Sequence, residues 1–164
     1  MQPETCTIAL HRVARNGMCH RLSFASRSLF INYSRTDRLP GPIDLQSLVD
    51  DGALTACDAS EGAELDLYVD FASQIDDGEA MALAIAKSRR WTVATDDRKA
   101  IRLATEHAIT VVTTPDLMKS WADNVRPTEM ELQQIILRIE SQATFFPASR
   151  HHLYEWWNKS AGRV

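Results

Sequence analysis

The sequence predicts an α/β protein, a three-layer α/β/α sandwich around a central, mainly parallel sheet. Two observations lead to this prediction. Residues 91 to 114 follow the order strand, helix, strand, which is a βαβ unit with parallel strands. The preceding segment, 79 to 89, is apolar around nearly its whole circumference, as expected of a deeply buried helix. At 164 residues, the chain is long enough to bury such a core as one domain.

The first half of the chain gives the weaker signals. Residues 4 to 16 begin with an apolar stretch and become basic, and residues 22 to 34 are of ambiguous type. Residues 35 to 42 contain two prolines and a glycine and are predicted to form a loop. The elements predicted next are a short helix from Asp44 to Gly52, a strand at 53 to 57 and an amphipathic helix at 61 to 74.

The second half is more regular. A buried helix from Asp77 to about Arg89 is followed by a tight turn at Ser88–Arg90 and a strand at 91 to 95. A helix at 96 to 107 and a β-branched strand at 108 to 114 complete the βαβ unit. The remaining predictions are a helix opened by Pro115, a longer helix at 127 to 143 and an aromatic amphipathic helix in the tail, with Leu153, Trp156 and Trp157 on its apolar face.

Composition argues against several classes of protein. No apolar run approaches the roughly 20 residues of a membrane helix, so we expect no membrane association and a cytoplasmic location. Three widely spaced cysteines without a C-x-x-C pair argue against a disulfide framework and a structural zinc site. The five histidines lack metal-ligand spacing, and His151 and His152 are expected to point to different faces at the surface. The formal charge of −4 indicates no overall basic field.

Two acidic clusters flank the buried helix and the strand that follows it. Asp96 and Asp97 come directly after the strand, and Glu79 lies in the first turn of the helix. Because the helix runs antiparallel to that strand, its start returns to the edge where the strand ends, so Glu79 and Asp96 can converge. Carboxylate oxygens are the ligands that Mg²⁺ and Mn²⁺ prefer. The alternative is structural: acids suit a first helical turn, as at Asp77 and Glu79, and Asp96 is a plausible N-cap.

The segment "DDGEAMALAIAKSRRWTVATDDRKAIRLA", with the trailing "ITVVTTPDLM", resembles the second half of a PIN domain. PIN domains are metal-dependent ribonucleases that gather three or four acids at the carboxyl edge of a parallel sheet. The resemblance implies Mg²⁺ or Mn²⁺ as cofactor, with Glu79 and Asp96 as metal-binding and catalytic residues. Asp97 and Glu4 would be further metal ligands, and Thr95 and Asp77 would be auxiliary. Arg98 and Lys99 adjoin this site and are the candidates for RNA contacts.

The first half matches the family less well. "ETCTIAL" resembles the family's first acidic motif with Glu4 in place of the aspartate, and Ile31 and Asn32 stand where another acid is expected. The chain is thus predicted to be a single PIN-like domain with its best-matching core at 43 to 125. Residues 1 to 42 match weakly, and residues 126 to 164 form a C-terminal helical extension.

The resemblance implies an endoribonuclease that cleaves RNA phosphodiester bonds with a metal-activated water. It is also compatible with the toxin half of a toxin–antitoxin pair, which would add an antitoxin protein as partner. A homodimer is a further expectation, since a sheet without its first central strand would expose an edge. The alternative is a catalytically degenerate PIN-like module that binds a protein or RNA without cleaving it, and the absent acid near Ile31 and Asn32 favours that alternative.

Overall fold

The structure is a computed structural model that describes residues 8–12, 20–25, 50, 54–57, 59–60 and 62–163. These residues form a mixture of helices and strands, in agreement with the predicted α/β class. The chain divides into two compact units, Met1–Val112 and Thr113–Val164. In the part of the chain that the structure describes, no helix combines the length and the apolar character needed to cross a bilayer.

The first unit contains five strands and three helices among its described residues. The predicted strand at 53 to 57, the helix at 61 to 74 and the βαβ unit after them are all confirmed, with ends that differ by a few residues. The elements are β1 (Ile8–Arg12), β2 (His20–Ala25), β3 (Leu54–Cys57), α1 (Ala63–Ala72), α2 (Asp77–Arg89), β4 (Thr92–Ala94), α3 (Arg98–Glu106) and β5 (Thr110–Val112). The short helix predicted from Asp44 to Gly52 lies almost wholly outside the described residues.

The five strands form one sheet in the order β3-β2-β1-β4-β5. β4 and β5 are parallel, as the βαβ pattern predicted, and so are β2 and β3. β1, however, is antiparallel to both β2 and β4, so the described sheet is mixed and not mainly parallel. The reason is the short connection between β1 and β2. Only seven residues separate Arg12 from His20, whereas a parallel crossover needs about a dozen or more.

Helix α2 is the most deeply buried element of the first unit. Residues 82 to 86 are all buried, and five consecutive residues cover every face of a helix. The helix packs against α1, α3 and the strands β1, β2 and β4. Its alanines let these neighbours approach closely, since a methyl group is the smallest side chain that still favours a helix. The buried residues of this core are Phe71, Ile75, Ala80, Leu83, Ala84, Ala86, Val93, Ala100, Leu103, Ala104 and Ile109.

The carboxyl end of α2 makes the tight turn that the sequence predicted. Arg90 adopts the left-handed conformation with φ 56°, and its N–H donates to the carbonyl oxygen of Ala86. The N–H of Trp91 donates to the same oxygen at 2.8 Å. This Schellman-type ending satisfies a terminal helical carbonyl and sends the chain directly into β4.

A charged pair joins α2 to α1. Glu64 is buried, and its two carboxylate oxygens accept hydrogen bonds from Arg89 Nε at 2.8 Å and Nη2 at 2.9 Å. The Arg89 guanidinium also lies over the ring of Trp91, 5.0 Å from the centroid. The hydrogen bonds from Arg89 lower the pKa of Glu64 to about 2. This bidentate pair therefore fixes the end of α2 against α1 most strongly while the carboxylate is ionised.

The second unit consists of three helices: α4 (Thr114–Val125), α5 (Glu129–Gln142) and α6 (Tyr154–Ser160). The predicted helix after Pro115 and the one at 127 to 143 are thereby confirmed. Ile136 of α5 and Trp157 of α6 are fully buried in the core of this unit. Trp157 Nε1 donates to Glu140 Oε1 at 2.8 Å, and Arg163 pairs with the same carboxylate. The tail therefore docks through its tryptophan, as its amphipathic pattern indicated.

Glu64→Gln should make the free energy of unfolding less dependent on pH. The folded-state pKa of Glu64, about 2, lies below its ordinary 4.5. The ionised pair thus stabilises the fold above pH 4.5, and this contribution is lost as the pH falls toward 2. In urea titrations at pH 7 we expect the variant to be less stable by on the order of 2 kcal/mol, and this deficit should shrink at pH 3.

Glu106→Gln is the matched control for this measurement. Glu106 lies 3.7 Å from Arg102, and both side chains are mostly exposed, so we expect its loss to change stability little at any pH. Parallel stability–pH curves for the wild type and Glu64→Gln would show that the Glu64–Arg89 pair does not stabilise the fold in this way.

Candidate functional site

The turn between β4 and α3 positions the predicted acids 96 and 97. The N–H of Thr95 donates to the carbonyl oxygen of Val112 at 3.1 Å, which extends the parallel pairing one residue beyond β4. Thr95 is buried, and its Oγ1 accepts a hydrogen bond from the N–H of Asp97 at 3.1 Å. The chain therefore turns immediately after Thr95. Asp96 lies within that turn, half-buried, at the carboxyl end of the β4–β5 pair.

Asp97, not Asp96, is the N-cap of the following helix. Asp97 Oδ1 accepts hydrogen bonds from the N–H groups of Lys99 at 2.7 Å and Ala100 at 2.9 Å. The interpretation of Asp96 as the cap is therefore wrong by one residue, because α3 begins at Arg98. This arrangement commits one oxygen of Asp97 to the helix, whereas the predicted role of Asp97 was that of an additional metal ligand.

Glu79 and Asp77 both lie in the first turn of α2 but differ in exposure. Glu79 is 6% exposed, whereas Asp77 is exposed to solvent. Ala80, the residue after Glu79, belongs to the same buried cluster as Ala100 in the first turn of α3. Burying a carboxylate costs free energy, which opposite charges, hydrogen bonds or the positive end of a helix offset. Glu79 is thus placed at the helix end that tolerates such burial best.

The amino end of β1 also lies at the carboxyl edge of β4. The antiparallel register pairs Ile8 with Ala94, so the first residue of β1 is next to the last residue of β4. Glu4 lies outside the described residues, as do Ile31 and Asn32. Of the first half of the predicted acidic site, the structure therefore describes only the position of β1.

Arg98 and Lys99, the predicted RNA contacts, are exposed in the first turn of α3. Cations are disfavoured at this end of a helix, because the macrodipole is positive there. The Asp97 cap places a carboxylate beside them, which offsets part of that repulsion. Both cations remain accessible to a ligand from solvent.

One group of three possible metal ligands stands out among the described residues, and it contains none of the predicted acids. It consists of Asp116, His151 and His152, whose ligand atoms all lie within 4.8 Å of one another. His152 Nε2 is 2.9 Å from Asp116 Oδ1, and His151 Nε2 is 4.0 Å from Asp116 Oδ2. We call these three residues the Asp–His–His cluster.

The expectation that His151 and His152 point to different faces is wrong. Their rings stack with centroids 4.4 Å apart and an interplanar angle of 28°. The reason is local: both residues lie in a turn before α6, which begins at Tyr154, so helical geometry does not separate them. The adjacent pair in the sequence was the one available signal, and it did not indicate that Asp116, 35 positions before His151, lies beside both rings.

Asp116 is held in place by the start of α4. Thr113 and Asp116 form a capping box, in which Asp116 Oδ2 accepts from the Thr113 N–H at 2.8 Å and from its hydroxyl at 2.6 Å. Burial opposes ionisation of this carboxyl, but the two hydrogen bonds from Thr113, with a smaller contribution from the neighbouring His152 and His151, outweigh it and lower the pKa of Asp116. Asp116 is therefore an ionised acceptor that faces both imidazoles at neutral pH.

No protein-family model, curated protein or solved structure matches this chain. The likeness to PIN domains therefore depends on the two sequence segments that carry it and stays a prediction.

Asp97→Ala and Asp97→Asn should differ in stability. Asparagine caps helices about as well as aspartate, whereas alanine cannot accept the Lys99 and Ala100 N–H groups. We expect a loss of about 1 kcal/mol for Asp97→Ala and little change for Asp97→Asn, measured by urea unfolding. Equal stability of the alanine variant and the wild type would contradict the capping role.

Proposed function

We propose that the chain is a PIN-like, Mg²⁺- or Mn²⁺-dependent endoribonuclease whose metal is held by Glu79 and Asp96. The observation that carries the proposal is the placement of Asp96, half-buried directly after β4 at the carboxyl end of a parallel strand pair. Ligands of open α/β sheets bind at this edge. The buried carboxylate of Glu79 adds support, since its neighbour Ala80 shares a core cluster with Ala100 of α3.

The donor groups fit a hard divalent ion. Mg²⁺ binds oxygen and commonly takes one or two carboxylates, with water and substrate phosphates completing its shell. Glu79 and Asp96 meet that requirement between them. Asp97 fits less well, because its Oδ1 caps α3. Glu4 would be a third ligand from the chain that leads into β1, and Asp77 would add negative charge nearby.

When bound, such an ion would lower the pKa of a water and neutralise charge that develops on the phosphate. The remaining roles belong to the protein. Arg98 and Lys99 would contact RNA phosphates, so binding should weaken as salt rises. The Thr95 hydroxyl accepts a hydrogen bond from the Asp97 N–H. Its own O–H would be the donor to a water or a phosphate oxygen.

The proposal also includes four more specific features: the three-layer sandwich, the cytoplasmic location, the RNA substrate and the toxin role. A toxin would have an antitoxin protein as its partner. The homodimer was expected from a missing central strand, and that reason is overturned because β1 lies at the centre of the described sheet. The RNA substrate and the toxin role come from the family resemblance and depend on the activity of the Glu79–Asp96 site. The sandwich and the location are inferred from sequence patterns and composition.

The second candidate is a degenerate PIN-like module that binds RNA or protein without cleaving it. Two observations favour it. The Asp97 carboxylate is engaged by the helix it caps, and the sequence has Ile31 and Asn32 where the family has another acid. The site would then still have its basic residues for binding, but it would not cleave RNA.

Asp96→Asn and Glu79→Gln should each abolish most Mn²⁺-dependent RNA cleavage. Both substitutions remove a charged ligand but keep the size of the side chain. In calorimetric titrations with Mn²⁺, we expect each to weaken binding at least about tenfold. Cleavage of a mixed RNA pool, followed on gels with and without metal, should fall in parallel.

Glu106→Gln, which removes an exposed acid at the other end of α3, should bind metal and cleave RNA like the wild type. A wild type that binds RNA but cleaves none of it at millimolar Mn²⁺ would contradict the enzyme proposal and favour the binding module. Cleavage that Asp96→Asn retains in full would contradict the assignment of the site.

A further inference from the structure

The Asp–His–His cluster has the composition of a transition-metal site. Two imidazoles and one carboxylate suit Zn²⁺, Co²⁺ or Ni²⁺, whereas Mg²⁺ prefers oxygen ligands alone. We propose that Asp116, His151 and His152 bind one such ion. This inference does not depend on the proposed ribonuclease site, because all three residues belong to the second unit.

The distances in the cluster are close to those of a metal site. With metal–ligand distances of about 2.0 Å, neighbouring ligand atoms of a tetrahedral ion lie about 3.3 Å apart. Asp116 Oδ1 lies 2.9 Å from His152 Nε2, and Asp116 Oδ2 lies 4.0 Å from His151 Nε2. Both distances differ from that spacing by less than an ångström, and the two stacked rings would have to tilt for both imidazoles to face one ion.

The cluster is also accessible. The side chains of Asp116 and His151 are 24% and 17% exposed, and that of His152 is 69% exposed. A pocket of about 440 Å³ opens beside Asp116 and His152 and is lined further along by Lys119 and Asp123. Three protein ligands with open space beside them leave room for a water or a ligand in the fourth position.

In the absence of an ion, hydrogen bonds hold the three residues of the cluster together. The Leu153 N–H donates to His151 Nδ1 at 3.1 Å, so the neutral His151 ring carries its proton on Nε2. That Nε2–H faces Thr113 Oγ1 at 2.9 Å, and the Thr113 hydroxyl donates to Asp116 Oδ2. Thr113 thus connects His151 to the carboxylate and would be the outer partner that orients the Asp116 ligand.

Metal binding has a defined proton balance in this arrangement. For His151 to ligate through Nε2, its proton must move to Nδ1, so the hydrogen bond from the Leu153 N–H to Nδ1 and the contact of Nε2 with Thr113 Oγ1 must both open.

Co²⁺ titration of the full chain, followed by visible absorption, tests the proposal directly. We expect a single saturable site in the wild type and at least about tenfold weaker binding in His152→Asn and His151→Asn. His152 is mostly exposed, so its substitution should leave the fold intact, as thermal melting would verify. Saturating Zn²⁺ should raise the melting temperature of the wild type and not that of His152→Asn.

Two matched controls complete the design. Asp123→Asn removes an acid that lines the same pocket but pairs with Lys119, and His107→Gln removes a histidine of the first unit. Both should bind Co²⁺ like the wild type. No saturable binding by the wild type at 100 µM Co²⁺ (roughly the upper limit for a specific site), or equal binding by His152→Asn, would overturn the proposal. Asp96→Asn should retain this site, so failure of either metal proposal leaves the other testable.

Discussion

The burial of α2 on all sides is the constraint on which the first unit depends. A helix covered around its whole circumference needs small side chains wherever a neighbour is close, and its alanines supply them at Ala80, Ala82, Ala84 and Ala86. The same burial leaves room for charge only at the two ends of the helix. At the amino end lies Glu79, and at the carboxyl end Arg89 pairs with Glu64 of α1. The carboxyl end of the helix is therefore fixed to α1 by an ion pair, and its amino end contributes to the proposed metal site.

Among the described residues, each unit contains a buried carboxylate that is paired with an arginine, and each pair serves a structural purpose. Glu64 pairs with Arg89 in the first unit, and Glu140 pairs with Arg163 and accepts from Trp157 in the second. Hydrogen bonds from the arginine lower the pKa of each carboxyl. Such pairs fix the orientation of packed elements more than they add to stability, because desolvation offsets much of their attraction. Neither carboxylate belongs to a proposed metal site.

Sequence patterns predicted the elements that local signals define. The continuous apolar run at 80 to 86 located α2, and the β-branched run at 108 to 114 located β5, because both signals are local in the chain. The direction of β1 was missed, since strand pairing is decided by tertiary contacts. The cap at Asp97 was missed by one residue, because two adjacent aspartates offer the same chemistry. The Asp–His–His cluster was not predicted, because it depends on tertiary structure. A turn brings His151 and His152 next to Asp116, which lies 35 positions before His151. Glu79 and Asp96 remain a predicted pair.

The most direct test of the account is whether Glu79 and Asp96 share one ion. Substoichiometric Mn²⁺ broadens the amide NMR signals of residues near the bound ion, so it maps the site without any assumption about catalysis. If Glu79 and Asp96 share one ion, the amides of residues 78 to 80 and 95 to 98 broaden together and first. Signals in these two segments that stay sharp while others broaden, or broadening of one segment alone, would contradict it.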